Sequence, residues 1–188
     1  MKSDTDQHWS TYYDQGKDFR LTTSQEIREI LERLDTEAPR TFLDIGCGTG
    51  QLTRELYHLG FKGVGIDAST SAIRIAQSLT VVPSSELQYM HGNVEELDFS
   101  TLTNATFGLV TMHLVFAFIA DKRGFCRQVS KVLDEHGVFA VMTPLLGKVP
   151  EEKRGIAVDP DETRRLLSEV FAVEYYEHDL GYFICKKK

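Results

Sequence analysis

Apolar positions along this chain keep switching between helical and strand spacing. Thr23 and Glu26 stand at capping-box spacing, and Ile27, Ile30, Leu31 and Leu34 then share one helical face. Pro39 closes that helix, and Thr41–Ile45 reads as a short strand. Leu52, Leu56 and Leu59 restore helical spacing, with Gly60 as its stop. Residues 63–67 form a second strand ending in Asp67, and Ser69 or Thr70 caps a helix carrying Ala72, Ile73, Ala76 and Leu79. Leu87–His91 is a third strand, and 107–112 a fourth, apolar enough for burial on both faces. Phe125, Val129, Val132 and Leu133 mark a helix that stops near Gly137, before a fifth strand at 138–143. Pro160 suits the first turn of a helix with Leu166, Leu167 and Val170. Two strands, 172–178 and 182–186, close the chain around a tight turn at 179–181.

Strands alternating with helices predict an α/β three-layer sandwich: a mostly parallel seven-stranded sheet, helices on both faces, and a C-terminal antiparallel hairpin. Such sheets bind ligands beyond the carboxyl ends of their strands, where strand order reverses. The chain has 188 residues, which fits one domain over 1–188. Its net charge of −7 argues against a nucleic-acid partner, and Lys186-Lys187-Lys188 reads as a solvated terminus. The three cysteines, Cys47, Cys126 and Cys185, are far apart and show no metal-ligand spacing. No metal is expected, and the thiols read as reduced in a cytoplasmic protein. Residues 1–10 are polar, with no signal core. Residues 109–120, broken by Thr111 and His113, read as a buried strand and its loop rather than a membrane span.

The chemistry concentrates after the first strand, in Leu43-Asp44-Ile45-Gly46-Cys47-Gly48-Thr49-Gly50. Glycines there permit positive φ and close approach of a ligand to the backbone. The loop feeds a helix N-terminus with free N–H groups. A dinucleotide fingerprint needs a third glycine where Gln51 stands, and a phosphate loop needs a lysine after Gly50. Asp44, two residues before the first glycine, repels pyrophosphate and attracts an ammonium or sulfonium. Asp67 ends the second strand, where an acid hydrogen-bonds ribose hydroxyls. A helix cap is the plainer role for such a residue.

With these motifs the chain resembles the class I, Rossmann-like S-adenosylmethionine-dependent methyltransferases. Val64-Gly65-Ile66-Asp67-Ala68-Ser69 is similar to that family's ribose motif, and Gly92-Asn93-Val94-Glu95-Glu96-Leu97 to its adenine motif. The resemblance covers roughly 40–143. It implies S-adenosyl-L-methionine as cofactor, held by the loop residues Gly46, Cys47, Gly48 and Gly50. Asp44 is then placed near the methionine amine, Asp67 on the ribose hydroxyls and Ala68 along the adenine. Asn93 and Val94 take the adenine edge and face, and Met112 and His113 border the methionine chain. Asn93 departs from the acid common in the family.

The N-terminal segment 1–38 is expected to fold as a helical lid over a core at 39–188. Tyr13, with Trp9 or Tyr12, then stacks near the sulfonium; packing of a helix onto the sheet explains the same aromatics. Arg20 suits a carboxylate of cofactor or substrate, or a surface role. A sulfonium methyl is already activated, so alignment of the acceptor matters most. His113 is the candidate general base, the alternative being a histidine that fixes local hydrogen bonds. His91 is expected on the adenine side, and His8, His58, His136 and His178 on the surface.

Only 144–171 is available as a substrate insertion between the fifth strand and the hairpin. The partner expected is therefore a small-molecule methyl acceptor, without nucleic acid or membrane; a homodimer stays open. Aminopropyl transfer is disfavoured because Met112-His113-Leu114 stands where that chemistry needs an acid. A non-catalytic cofactor-binding scaffold is the alternative from another class.

Overall fold

A computed structural model describes residues 4–81, 85–102 and 106–188. The first three residues of the N-terminal segment lie outside the described residues. The elements run α1 (Asp4–Asp14), α2 (Ser24–Leu31), β1 (Thr41–Ile45), α3 (Gln51–His58), β2 (Lys62–Asp67), α4 (Thr70–Leu79) and β3 (Leu87–His91). They continue as β4 (Phe107–His113), α5 (Lys122–Val132), β5 (Leu133–Thr143), α6 (Pro160–Leu167), β6 (Phe171–Glu177) and β7 (Gly181–Lys187). The sheet has seven strands in the order β3-β2-β1-β4-β5-β7-β6. The first five are mutually parallel, and β7 runs antiparallel between β5 and β6.

Alternation along each central strand feeds two cores, as a sheet covered on both faces requires. Phe42, Leu109, Val138, Ala140 and Met142 pack with Ile27 and Ile30 of α2 and Leu52 and Leu56 of α3. Their neighbours Leu43, Ile45, Val110, Phe139 and Val141 pack with Phe125 and Val129 of α5 and Leu167 of α6. Local signals fix the helix starts. Thr23 Oγ1 accepts from the Glu26 N–H and the Glu26 carboxylate accepts from the Thr23 N–H, completing the capping box. Ser69 Oγ accepts from the Ala72 N–H at 3.0 Å, so Ser69, not Thr70, caps α4.

Three expectations need correction. The helix expected to run to Gly137 ends at Val132, and β5 begins at Leu133 rather than at residue 138. The polar run from Asp134 to His136 hides this start, and a register shift between Phe107 and Leu109 absorbs the irregularity. Val170 lies beyond the end of α6. A helix, α1, also precedes the one that apolar spacing makes the first. No described helix is long and apolar enough to cross a membrane, and the three cysteines are free.

Candidate functional site

The strand order reverses beside β1: α3 leads to β2 on one side, while β4 lies on the other. A crevice opens there, at the carboxyl ends of β1 and β4. Its empty space, open mouth included, is about 1120 Å³. Asp44, Gly46, Cys47, Gly48, Asp67, Ala68, Asn93, Val94, His113 and Tyr13 all face it. Met112 and Gly50 do not. Met112 is fully buried in the core, and a Cβ on Gly50 meets Tyr89 and Ala76 rather than the crevice. Packing and a φ of 77° both favour glycine there.

Gly46 and Gly48 carry φ of 70° and 54°, which disfavours any residue with a Cβ. Space excludes one as well. A Cβ on Gly46 falls 2.2 Å from Val115 Cγ2, and one on Gly48 falls 2.7 Å from the Tyr13 hydroxyl. The loop therefore presents bare backbone to the crevice between two fixed side chains. Leu114, with φ 62°, turns the chain after β4 so that Val115 reaches Gly46.

Two carboxylates are sunk into the floor. Asp44 accepts from Thr53 Oγ1 at 2.6 Å and from Thr111 Oγ1 at 2.8 Å. Thr111 is its register partner on β4, and Thr53 comes from α3. Burial pushes the Asp44 carboxyl up to about 6; the two hydroxyls oppose this and Asp67 adds to it. Asp67 accepts from the Gly48 N–H and the Ser69 N–H, both at 2.8 Å. Burial raises its carboxyl too, against those two bonds. Asp67 thus braces both the glycine loop and the entry to α4. Burial, then Asp67, pushes the Tyr13 phenol well above its ordinary range. Burial does the same to the Cys47 thiol.

The residues after β3 hold one another. Asn93 Oδ1 accepts from the Glu95 N–H at 3.2 Å, and its Nδ2 donates to Glu96 at 2.8 Å. Glu95 accepts from the N–H groups of Ala120 and Asp121. His91 pairs with the Ala68 carbonyl at 3.1 Å and does not line the crevice.

The N-terminal segment lies across the crevice mouth, with Thr5, Trp9 and Tyr13 of α1 on its wall. Asp6 pins α1 to the start of α4, accepting from the Thr70 N–H at 2.9 Å and the Thr70 hydroxyl at 2.8 Å. Thr49 Oγ1 donates to Asp18, and Thr22 and Gln51 exchange two hydrogen bonds. Trp9 meets Phe118 edge-on at 5.0 Å and Phe19 at 5.8 Å. These aromatics join α1 to the turn after β4, and Trp9, Phe19 and Phe118 all line the crevice.

His113 Nε2 is buried without a hydrogen-bond partner. Burial, then Arg20, lowers its pKa to about 4. Arg20 also faces the crevice, which corrects a purely surface placement. Residues that sequence reasoning passed over include Thr53 and Thr111, which hold Asp44, and Val115 and Phe118 on the wall. Away from the crevice, Asp35, Glu37 and His136 form an exposed cluster. His136 Nδ1 lies 3.8 Å from Asp35 and its Nε2 3.4 Å from Glu37.

A family model described as a methyltransferase domain matches residues 43–141, more than half the chain. The mitochondrial ubiquinone biosynthesis O-methyltransferase of Schizosaccharomyces pombe is 30% identical over 120 residues, covering 62% of this chain and 42% of that protein. The chain thus spans less than half of that relative. A TehB-like SAM-dependent methyltransferase from Corynebacterium glutamicum superposes with TM-score 0.68 at 17% identity, covering 97% of this chain and 95% of that one. The glycopeptide N-methyltransferase MtfA, solved with S-adenosyl-L-methionine, gives TM-score 0.70 at 15% identity over 91% of this chain and 96% of its own.

Proposed function

Because the chain belongs to the class I S-adenosylmethionine-dependent methyltransferase family, we propose that it moves the cofactor's methyl group to a small-molecule acceptor in this crevice. The observation that carries the reading is Asp44. It is 2% exposed, raised by burial, and set beside the glycine loop with two hydroxyls and a second carboxylate around it. A buried carboxylate costs stability unless a cation joins it. The α-ammonium of S-adenosylmethionine supplies that cation, and its sulfonium adds positive charge nearby. A pyrophosphate ligand does the opposite.

In this reading Gly46, Cys47 and Gly48 lie along the methionine and ribose parts. Asp67 takes the ribose hydroxyls, Ala68 and Val94 flank the adenine, and Asn93 meets its edge. Residues 1–38 act as the lid, and Trp9, Tyr13 and Phe118 screen the sulfonium from water. Exclusion of water and in-line alignment supply most of the rate for an already activated methyl. His113 is the candidate proton acceptor. The residue lines the crevice, and its low proton affinity restricts it to acceptors that lose a proton readily. The short 144–171 segment leaves little chain to cover a large acceptor, which supports a small one.

The test is transfer of a labelled methyl group from S-adenosylmethionine across a panel of phenols, carboxylic acids, amines and thiols. Label in at least one small acceptor is expected. Tight cofactor binding with no labelled product across the panel overturns the transfer reading and leaves a cofactor-binding scaffold.

A further inference from the structure

Charge on the crevice wall is already engaged by the protein. Asp18 accepts from Thr49 Oγ1 at 2.7 Å and from the Phe19 N–H at 2.8 Å. Arg20 donates from Nη1 and Nη2 to the two Glu26 oxygens at 3.2 and 2.7 Å, and Glu26 also accepts from the Tyr182 hydroxyl. Glu95 accepts from the N–H groups of Ala120 and Asp121. Asp44 and Asp67 are taken by the cofactor in the proposed reading. Asp18, Arg20 and Glu95, the other charged side chains on the wall, thus have protein partners before any acceptor arrives.

Apolar groups on the same wall are in the opposite state. Among the described residues five large hydrophobic side chains are exposed, and two of them, Leu21 at 54% and Phe118 at 39%, line this crevice. A single exposed leucine is ordinary. Two large side chains on one cavity keep apolar area in water that an apolar ligand covers. Leu21 lies on the loop between α1 and α2, and Phe118 on the turn after β4. The Leu21 loop is tied through Arg20 and Glu26 to Tyr182 of β7. Both side chains are therefore anchored on the β4–β7 half of the sheet, away from Asp67 and Ala68 at the end of β2. Two polar atoms on residues of the wall, Thr22 Oγ1 and His113 Nε2, are buried without a hydrogen bond. One is a hydroxyl and the other belongs to an imidazole kept neutral by burial, so each suits an uncharged partner rather than an ion.

We infer that the methyl acceptor is an uncharged small molecule whose apolar body sits against Leu21 and Phe118 and whose reacting group is a hydroxyl. The inference rests on the crevice being an S-adenosylmethionine site and names the acceptor class for it. In the transfer, the hydroxyl oxygen bonds to the cofactor methyl carbon as the carbon–sulfur bond breaks. The sulfur keeps that electron pair and leaves as neutral S-adenosylhomocysteine, and the hydroxyl proton passes to His113 and then to water.

The experiment titrates the whole chain, saturated with S-adenosylhomocysteine, with phenol, para-butylphenol, tyramine and para-hydroxyphenylacetate by calorimetry. A fully buried methylene is worth about fourfold in affinity, and about twofold on a wall open on one side. The wild type should therefore hold para-butylphenol about tenfold or more tighter than phenol. Tyramine and para-hydroxyphenylacetate, whose tails end in a charge, should gain nothing over phenol. Leu21→Asn changes an exposed loop side chain and should cut the butyl preference to a few-fold, with S-adenosylhomocysteine affinity unchanged. Phe118→Ser should cut the preference likewise. The ratio of the two phenol affinities cancels any loss common to both, which is what a folding defect produces. Equal affinity for phenol and para-butylphenol in the wild type, tighter binding of either charged phenol, or a preference intact in both variants overturns the inference. A wild type that binds none of the four overturns it too; if that chain also sediments as a dimer that Leu21→Asn dissociates, a second copy covers the two side chains instead. A wild type that binds no S-adenosylhomocysteine overturns the cofactor reading on which the inference rests.

Discussion

Replacing Asp44 by asparagine should make the empty protein more stable and its cofactor binding worse. Burial raises the Asp44 carboxyl from 3.8 to about 6. Between those pH values the folded chain holds a proton that the unfolded chain has released. Stability therefore falls as pH rises through this window and stays low above it. The gap is worth about 3 kcal/mol at neutral pH. Asparagine cannot ionise. Its oxygen still accepts from one threonine hydroxyl, and the other hydroxyl turns to accept from the amide. Ligand-free Asp44→Asn should then gain about 2–3 kcal/mol at pH 7.5, which is a Tm rise of roughly 4–12 °C for a domain of this size. The gain should shrink to about 0.5 kcal/mol by pH 4. His113 titrates in the opposite sense: lowered from 6.5 to about 4, it removes stability as pH falls through that range. The two trends partly cancel in the wild type, so only the difference between the two chains isolates Asp44. Cofactor narrows the gap. At a hundred times its Kd it stabilises the wild type by about 2.7 kcal/mol, while the variant, lacking the ammonium partner, should bind about tenfold or more weakly. Scanning fluorimetry from pH 4 to 8, with and without S-adenosylhomocysteine, reads all of this. A ligand-free variant no more stable than wild type at pH 7.5, with its cofactor shift intact, refutes the reasoning.

Other outcomes follow from the same site. Gly46→Ala forces a Cβ to within 2.2 Å of Val115 at a positive φ, so it should lower Tm by several degrees and abolish cofactor binding in the same calorimetric titration. Asp67→Ala removes the acceptor for the Gly48 and Ser69 N–H groups, and should weaken S-adenosylmethionine by about tenfold or more; full-strength binding would sink the ribose assignment. Once an acceptor is found, kcat should be flat above about pH 5.5, because His113 is neutral there. His113→Gln should lower that plateau, and unchanged turnover removes His113 as the base.

Much of this architecture is written in short-range pattern. The strands, the capping box at Thr23 and the left-handed glycines follow from local spacing. Helix α1 escapes because its buried stripe is Asp6, Ser10 and Tyr13. Those residues have helical spacing but little hydrophobicity, and their burial is supported by hydrogen bonds to α4 instead. The start of β5 escapes because Asp134 to His136 is polar. Asp44 is recognisable beside the glycines, but its supports stand at Thr53 and Thr111, and only the β1–β4 register and the packing of α3 bring them together. Glu26 is legible as a capping-box acid; its second role, clamping Arg20 under the Tyr182 hydroxyl, spans 156 residues and has no local signal.

The most direct test of the account is calorimetric titration of the whole chain with S-adenosylhomocysteine and, separately, with NAD. The account predicts one saturable site for S-adenosylhomocysteine in the micromolar range, weakened in Asp44→Asn, and no NAD binding, because a pyrophosphate cannot sit beside Asp44 and the loop has Gln51 where a dinucleotide fingerprint needs its third glycine. Absence of saturation by S-adenosylhomocysteine at millimolar concentration, or equal binding of NAD, contradicts it.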